Sequence, residues 1–304
     1  MLFCFSEYAH ISQALCGITS LQPGEFSITR YENQELHAAV QSPVAGEHCF
    51  VLGTIAPPEH QMAALLLLAH TLRKEGATRL TGVFPYLAYA REDHAKPGES
   101  LATAWAGAVL KASGFDEIWT VDLHSEHDQQ LFPLPLESFS PAGLFAERIR
   151  NLGLTDATVV ATDKGGIPRC EALKSAAGVT SGDIVYFNKL RVAGGIVHSD
   201  PIGGVGSRAV IVDDILDTGR TLVSACERLV RAGAEELYIF VTHGLFTGQA
   251  WQEVWSLPVK KMFCTDTIPA CASIDDPRIT ILPIGPWLCE KLASRMDAGK
   301  TQRS

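Results

Sequence analysis

Apolar positions along this chain cluster in blocks and do not alternate one by one with polar ones. Continuous runs rich in Val, Ile, Leu and Phe occur at CFVLGTIA (49–56), LTGVFPYLAYA (80–90), EIWTVDLHS (117–125), ATVVATDKGG (157–166), DIVYFNKLRV (183–192), RAVIVDDILD (208–217), ELYIFVTHGLF (236–246), KKMFCTDTI (260–268) and ITILPIG (279–285). Segments with helical spacing lie between them, near 58–75, 101–113, 142–152, 168–178, 219–233 and 286–296. A strand that is apolar on both faces needs cover on both. The pattern therefore predicts an α/β fold with mainly parallel sheets flanked by helices. The Pro-rich stretch LFPLPLESFSPAG (131–143) reads as a connection between two α/β halves, 1–143 and 144–304, each of ordinary domain size.

Ligands of such sheets bind beyond the carboxyl ends of the strands. Polar residues fall at those ends here: Arg91 after LAYA, His124 after VDL, Asp163 after VVAT, Asp213 after VIV and His243 after IFVT. The sharpest case is AVIVDDILDTGRTL (209–222), where a buried run ends in Asp213, Asp214 and Asp217 and a helical pattern starts at once. Three acids at one strand tip repel each other unless cations or sugar hydroxyls offset the charge. Asp213 and Asp214 can accept hydrogen bonds from a vicinal diol. Asp217, Thr218, Gly219, Arg220 and Thr221 form a short loop whose amides and hydroxyls suit an anion at a helix N-terminus. A diol clamp beside a phosphate cradle describes a ribose 5-phosphate site. The same Asp-Thr-Gly would also serve as an ordinary helix cap.

Composition narrows the partners. Hydrophobic residues make up 46% of the 304 and charged residues 19%, so the chain can bury a sizeable core. A net charge of −9 argues against nonspecific binding to nucleic acid or to acidic membranes. Eight cysteines are scattered with no CxxC pair, which predicts buried free thiols in a reducing compartment. The opening MLFCFSEYAHISQALC lacks a basic n-region, and the run MAALLLLAH is too short to span a membrane. A cytoplasmic protein is the expectation.

The whole of VIVDDILDTGRTL resembles the phosphoribosyl-binding motif of phosphoribosyltransferase-fold proteins, with Arg220 standing where that family usually has a small residue. RYENQELHAAV (30–40), LTGVFPYLAYARED (80–93), VDLHSEHDQQLF (121–132), TDKGG (162–166), FNKLR (187–191) and TDTIP (265–269) then occur in the order seen in ribose-phosphate diphosphokinases. The resemblance runs over nearly the full length. It implies two tandem phosphoribosyltransferase-like domains, the second holding the sugar phosphate, and the synthesis of phosphoribosyl diphosphate and AMP from ATP and ribose 5-phosphate.

By that resemblance Lys189 and Arg191 match the catalytic cations, and His124 and Asp163 match positions associated with Mg²⁺. Tyr31 matches the aromatic that stacks on adenine, and Glu35 an acid near it. Arg91 matches an arginine that meets the ATP phosphates. Asn33 stands where Asp is common, Glu92 replaces the usual Gln, and Glu126 and His127 depart from the usual pattern beside the metal position. The Gly-rich AGGIVHSDPIGGVG (193–206) reads as a mobile lid. The RYENQE side reaches a neighbouring subunit in the family, which implies a homodimer or a hexamer built from dimers.

Two other readings stay open on the sequence: a phosphoribosyltransferase that consumes phosphoribosyl diphosphate, and a catalytically silent paralogue that binds nucleotides. The tandem length and the RYENQE, YARED and FNKLR segments speak against the first. Retention of Lys189, Arg191, His124, Asp163 and Asp217–Thr221 speaks against the second.

Overall fold

A computed structural model describes residues 1–192 and 195–301, with the side chains of 1–188 and 198–296. Residues 1–139 together with 284–304 form one unit and residues 140–283 another.

The first unit is built on a five-stranded sheet. β1 (Leu2–Cys4) is followed by α1 (Ala9–Ile18), and β2 (Phe26–Arg30) with β3 (Leu36–Val40) forms an antiparallel hairpin of its own. Then come β4 (His48–Leu52), α2 (Glu59–Lys74), β5 (Arg79–Phe84), α3 (Ala102–Ala112), β6 (Glu117–Val121), the short α4 (His127–Leu131) and β7 (Leu136–Phe139). The sheet order is β1-β4-β5-β6-β7, with every neighbouring pair parallel. The Pro-rich stretch is thus more than a connection, because β7 inside it pairs with β6 as the sheet's edge strand. Pro133 and Pro135 just precede it, where proline costs the ladder no hydrogen bond.

The second unit contains α5 (Ala142–Asn151), β8 (Thr158–Ala161), α6 (Ile167–Ala177), β9 (Val185–Tyr186), the ribbon β10 (Lys189–Val192) and β11 (Gly195–His198), β12 (Arg208–Leu216), α7 (Arg220–Arg231), β13 (Glu236–Gly244), β14 (Val259–Thr265) and β15 (Ile279–Leu282). Its sheet order is β15-β14-β13-β12-β8-β9, again with every pair parallel. Successive side chains of β12 go to opposite faces: Ala209 and Ile211 pack with α7 residues Leu222, Cys226 and Leu229, while Val210 and Val212 pack with Phe145 and Ile149 of α5 and Leu173 of α6. Both faces are dry, which is why β12 reads as an unbroken apolar run. Burying each of the Val, Ile, Leu and Phe side chains among them is worth roughly 1.5–3 kcal/mol relative to exposure.

The chain leaves β8 for β9 on one side, then returns to place β12 on the other side of β8. That reversal makes a crevice beyond the carboxyl ends of β8 and β12, the place where open α/β sheets bind ligands. The first unit's order shows no such reversal.

The last helix, α8 (Gly285–Thr301), packs against α1 in the first unit, and Arg295 Nε meets Glu137 Oε2 at 2.5 Å. All eight cysteines are free, and all but Cys4 and Cys16 are buried. Among the described residues no helix is long and apolar enough to cross a membrane.

Candidate active site

The crevice of the second unit gathers most of the acids singled out in the sequence. Ala161 on β8 pairs in register with Val212 on β12, so Asp163, just past β8, and Asp213, within the part of β12 still paired with β13, follow on adjacent strands. Asp163 caps the turn that leads into α6, its Oδ1 accepting the Gly166 amide at 3.1 Å. Asp214 is buried, and Arg169 from the first turn of α6 lies 3.8 Å from its Oδ1. The Asp214 amide donates to Asp213 Oδ1 at 3.1 Å.

Burial, then the neighbouring Asp214 charge, pushes the Asp213 carboxyl well above its ordinary value, and Asp163 adds to the rise while Arg169 opposes it. The folded chain therefore holds a proton there that the unfolded chain releases at lower pH, so this group costs more stability as pH rises through the interval. Asp213→Asn should melt a few degrees above the parent at about pH 7.5 and level with it near about pH 4. Equal melting temperatures at both values would show that Asp213 carries no such strain.

The loop from Asp217 to Thr221 begins α7. Gly219 is the N-cap at φ +79°, and its carbonyl accepts the Val223 amide at 2.9 Å. A Cβ there would sit 2.4 Å from Trp251 Cβ and 2.5 Å from Trp251 Cα, so only glycine fits. Helix geometry leaves the amides of the first turn without intrahelical acceptors. Arg220 is the first helical residue and is exposed. The strand tail behind the loop is held by Leu245 N to Leu216 O at 2.8 Å and Thr247 N to Asp217 O at 3.0 Å.

Lys189 and Arg191 lie on β10, opposite His198 and Ile196 of β11, and their side chains are outside those described. The ribbon is tied to α7, since the His198 amide donates to Ser224 Oγ at 3.3 Å and Arg228 Nη1 meets Asp200 Oδ1 at 3.0 Å. Part of the segment read as a lid is thus the regular strand β11, and residues 193 and 194 lie outside the description.

The first unit carries the other predicted positions in two places. Tyr31, Asn33 and Glu35 form the tip of the β2–β3 hairpin, where the Tyr31 amide donates to Glu35 O at 2.9 Å and Gln34 sits at φ +70°. Tyr31 is 55% exposed, its ring edge-on to His37. Asn33 Oδ1 accepts the Glu35 amide at 3.2 Å, so the turn itself engages that side chain. Arg91 and Glu92 are exposed on the loop after β5; Ser100 Oγ donates to Glu92 Oε2 at 2.5 Å. His124 is exposed just past β6, three residues after the strand and two after Asp122, whose φ is +45°.

Sequence reasoning did not single out Arg169, Trp251 or Thr267. Arg169 carried a usable signal, six residues past Asp163 in TDKGGIPR. Trp251 and Thr267 act through the fold: Trp251 walls the loop at Gly219, and Thr267 Oγ1 meets His243 Nδ1 at 2.8 Å and donates to Thr242 O at 3.1 Å.

Comparison with known proteins agrees with the fold. Residues 1–114 match the family model described as the N-terminal domain of ribose phosphate pyrophosphokinase, and residues 129–275 match the phosphoribosyl transferase domain. The ribose-phosphate pyrophosphokinase of Cereibacter sphaeroides is 32% identical over 87% of this chain and 80% of its own length. That of Aquifex aeolicus is 30% identical over 85% of this chain and 84% of its own. The crystal structure of phosphoribosylpyrophosphate synthetase from Mycobacterium smegmatis superposes with a TM-score of 0.86 at 25% identity, covering 98% of this chain and 99% of that one.

Proposed function

The chain belongs to the ribose-phosphate pyrophosphokinase family, and we propose that the crevice between β8 and β12 is its ribose 5-phosphate seat. The enzyme moves the β,γ-diphosphoryl group of ATP to O1 of ribose 5-phosphate, giving phosphoribosyl diphosphate and AMP. One observation carries the assignment of the seat: the sheet reverses its order where Asp163, Asp213 and Asp214 stand beside the glycine-limited loop that opens α7. Asp213 and Asp214 receive the ribose hydroxyls. The amides and hydroxyls of Thr218, Gly219, Arg220 and Thr221, with Asp217 at the loop's start, receive the 5-phosphate.

Lys189 and Arg191 neutralise charge that develops as the anomeric hydroxyl attacks the β-phosphorus and AMP departs. On the nucleotide side, the exposed Tyr31 ring stacks on adenine, with Asn33 and Glu35 beside it and Arg91 and Glu92 at the phosphates. Exposure of that hairpin tip supports self-association, as a homodimer or a hexamer built from dimers. Eight free thiols support a cytoplasmic location.

Mg²⁺ is the cation the donor set fits. Among the described residues no three His, Cys, Asp or Glu side chains are arranged to hold a metal by themselves. Mg²⁺ needs only one or two protein groups, since it keeps waters and substrate phosphates. Burial first, and then the Asp214 and Asp163 charges, raise the proton affinity of Asp213, and a cation would relieve the charge part of that rise. Asp163 would hold a metal ion through a carboxylate oxygen in the second unit, and His124 is the metal-associated position of the first; once bound, the ion would offset phosphate charge. The identity of the products tests the reading: ATP, Mg²⁺ and ribose 5-phosphate should yield AMP and not ADP.

A further inference from the structure

Beside His124 lies a cluster that the reaction as described does not use. The Ser125 amide donates to Asp128 Oδ2 at 3.1 Å, and Ser125 Oγ accepts the His127 amide at 3.1 Å. The Ser125 side chain also hydrogen-bonds to Asp93, whose Oδ1 is 2.6 Å from His94 Nδ1. Asp93 comes two residues after Arg91, and Ser125 directly follows His124. The loops after β5 and β6 are therefore joined through Asp93 and Ser125.

Asp128 sits beneath this joint with no exposed surface, and its Oδ1 has no hydrogen-bond partner among the described residues. Burial, together with the Asp93 charge, raises this carboxyl to about 6, against the Ser125 amide and the two nearby histidines, His124 and His127. A half-satisfied buried carboxyl lowers stability, so an apolar residue of the same size would pack there more favourably. The only visible return is its grip on the residue next to His124.

We propose that Asp128 is a positioning residue, which through Ser125 and Asp93 sets the two loops that carry His124 and Arg91 at the metal–nucleotide end of the reaction. The inference rests on the reading of His124 and Arg91 given above. It needs the acceptor oxygen and not the negative charge.

Steady-state kinetics of the full chain test it. Asp128→Ala should raise the KM for Mg²⁺·ATP about tenfold while the KM for ribose 5-phosphate stays within about twofold, and Asp128→Asn should restore most of the loss. Ser125→Ala keeps the amide on Asp128 but removes the hydroxyl facing Asp93, and should raise the same KM. If both KM values stay unchanged, rise together, or fail to recover with Asn, the proposal is overturned. Should Asp128→Ala not fold, an unchanged KM for Mg²⁺·ATP in Ser125→Ala overturns it as well. His124→Ala separates the two levels. No effect of His124→Ala overturns the reading of His124 and this inference with it. An effect of His124→Ala with none at Asp128 overturns this inference alone.

Discussion

Replacing Lys189 with alanine should lower kcat by about 10²–10⁴ while the Kd for ribose 5-phosphate changes by less than about threefold. The reasoning is electrostatic. Diphosphoryl transfer asks the protein for alignment and charge neutralisation and for little covalent chemistry. A cation that meets charge only as AMP leaves contributes to turnover and not to sugar affinity. Lys189 lies on the β10–β11 ribbon, and that ribbon is tied to α7, the helix whose first turn opens the phosphate loop. Stopped turnover with intact calorimetric binding is the expected outcome. A large loss of sugar binding would mean that Lys189 belongs to the seat and not to the transfer step.

Gly219→Ala should cost about 2–5 kcal/mol of stability in the second unit and weaken ribose 5-phosphate binding at least about a hundredfold. Part of the cost is the left-handed backbone at φ +79°, which an L side chain adopts at a penalty of about 1–2 kcal/mol. The larger part is the Trp251 backbone, 2.5 Å from the new Cβ. Trp251 cannot easily yield, being buried, edge-to-face with Phe246 at 5.0 Å, and bonded through Nε1 to Gly248 O at 3.2 Å. The loop must move instead, and its amides with it. Gly248→Ala provides the internal comparison. It has a similar φ of +68° but open space around the new Cβ, so it should show the backbone penalty alone. Equal losses in the two variants would show that contact with Trp251 does not shape the loop.

The arrangement of strands and helices was legible because both faces of the central strands are dry. β12 fills two cores with alternate side chains, and such a strand cannot avoid an unbroken apolar run. Helices such as α5 and α7 were legible for the complementary reason, each showing one apolar face. The β2–β3 hairpin left no pattern in the sequence, because it is a two-stranded ribbon with half-buried or exposed positions and no continuous run, and β1 is only three residues long. The Pro-rich stretch hid β7 because an edge strand tolerates prolines just before it. The packing of α8 on α1 was invisible, since an amphipathic stripe does not say which core it will join.

The acids of the crevice were legible as a charge anomaly at a strand tip. Their environment was not. Arg169 reaches Asp214 from the start of another helix, and Trp251 limits Gly219 from thirty-two residues downstream. The contacts themselves are tertiary facts, although Arg169 stands close to Asp163 in TDKGGIPR. The cluster at Asp93, Ser125 and Asp128 shows the same division. The departures at Glu126 and His127 were visible in the sequence, but the buried carboxyl beneath them emerged only from the fold.

Following the β-phosphorus tests the central claim most directly. The protein is incubated with ribose 5-phosphate, Mg²⁺ and ATP that carries radioactive phosphorus at the β position, and the products are separated. The label should appear in phosphoribosyl diphosphate, with unlabelled AMP formed in equal amount. Label in ADP would mean transfer of the terminal phosphoryl group alone, and no turnover with any nucleotide donor would mean that the seat binds its sugar phosphate for another purpose. Either result would contradict the account.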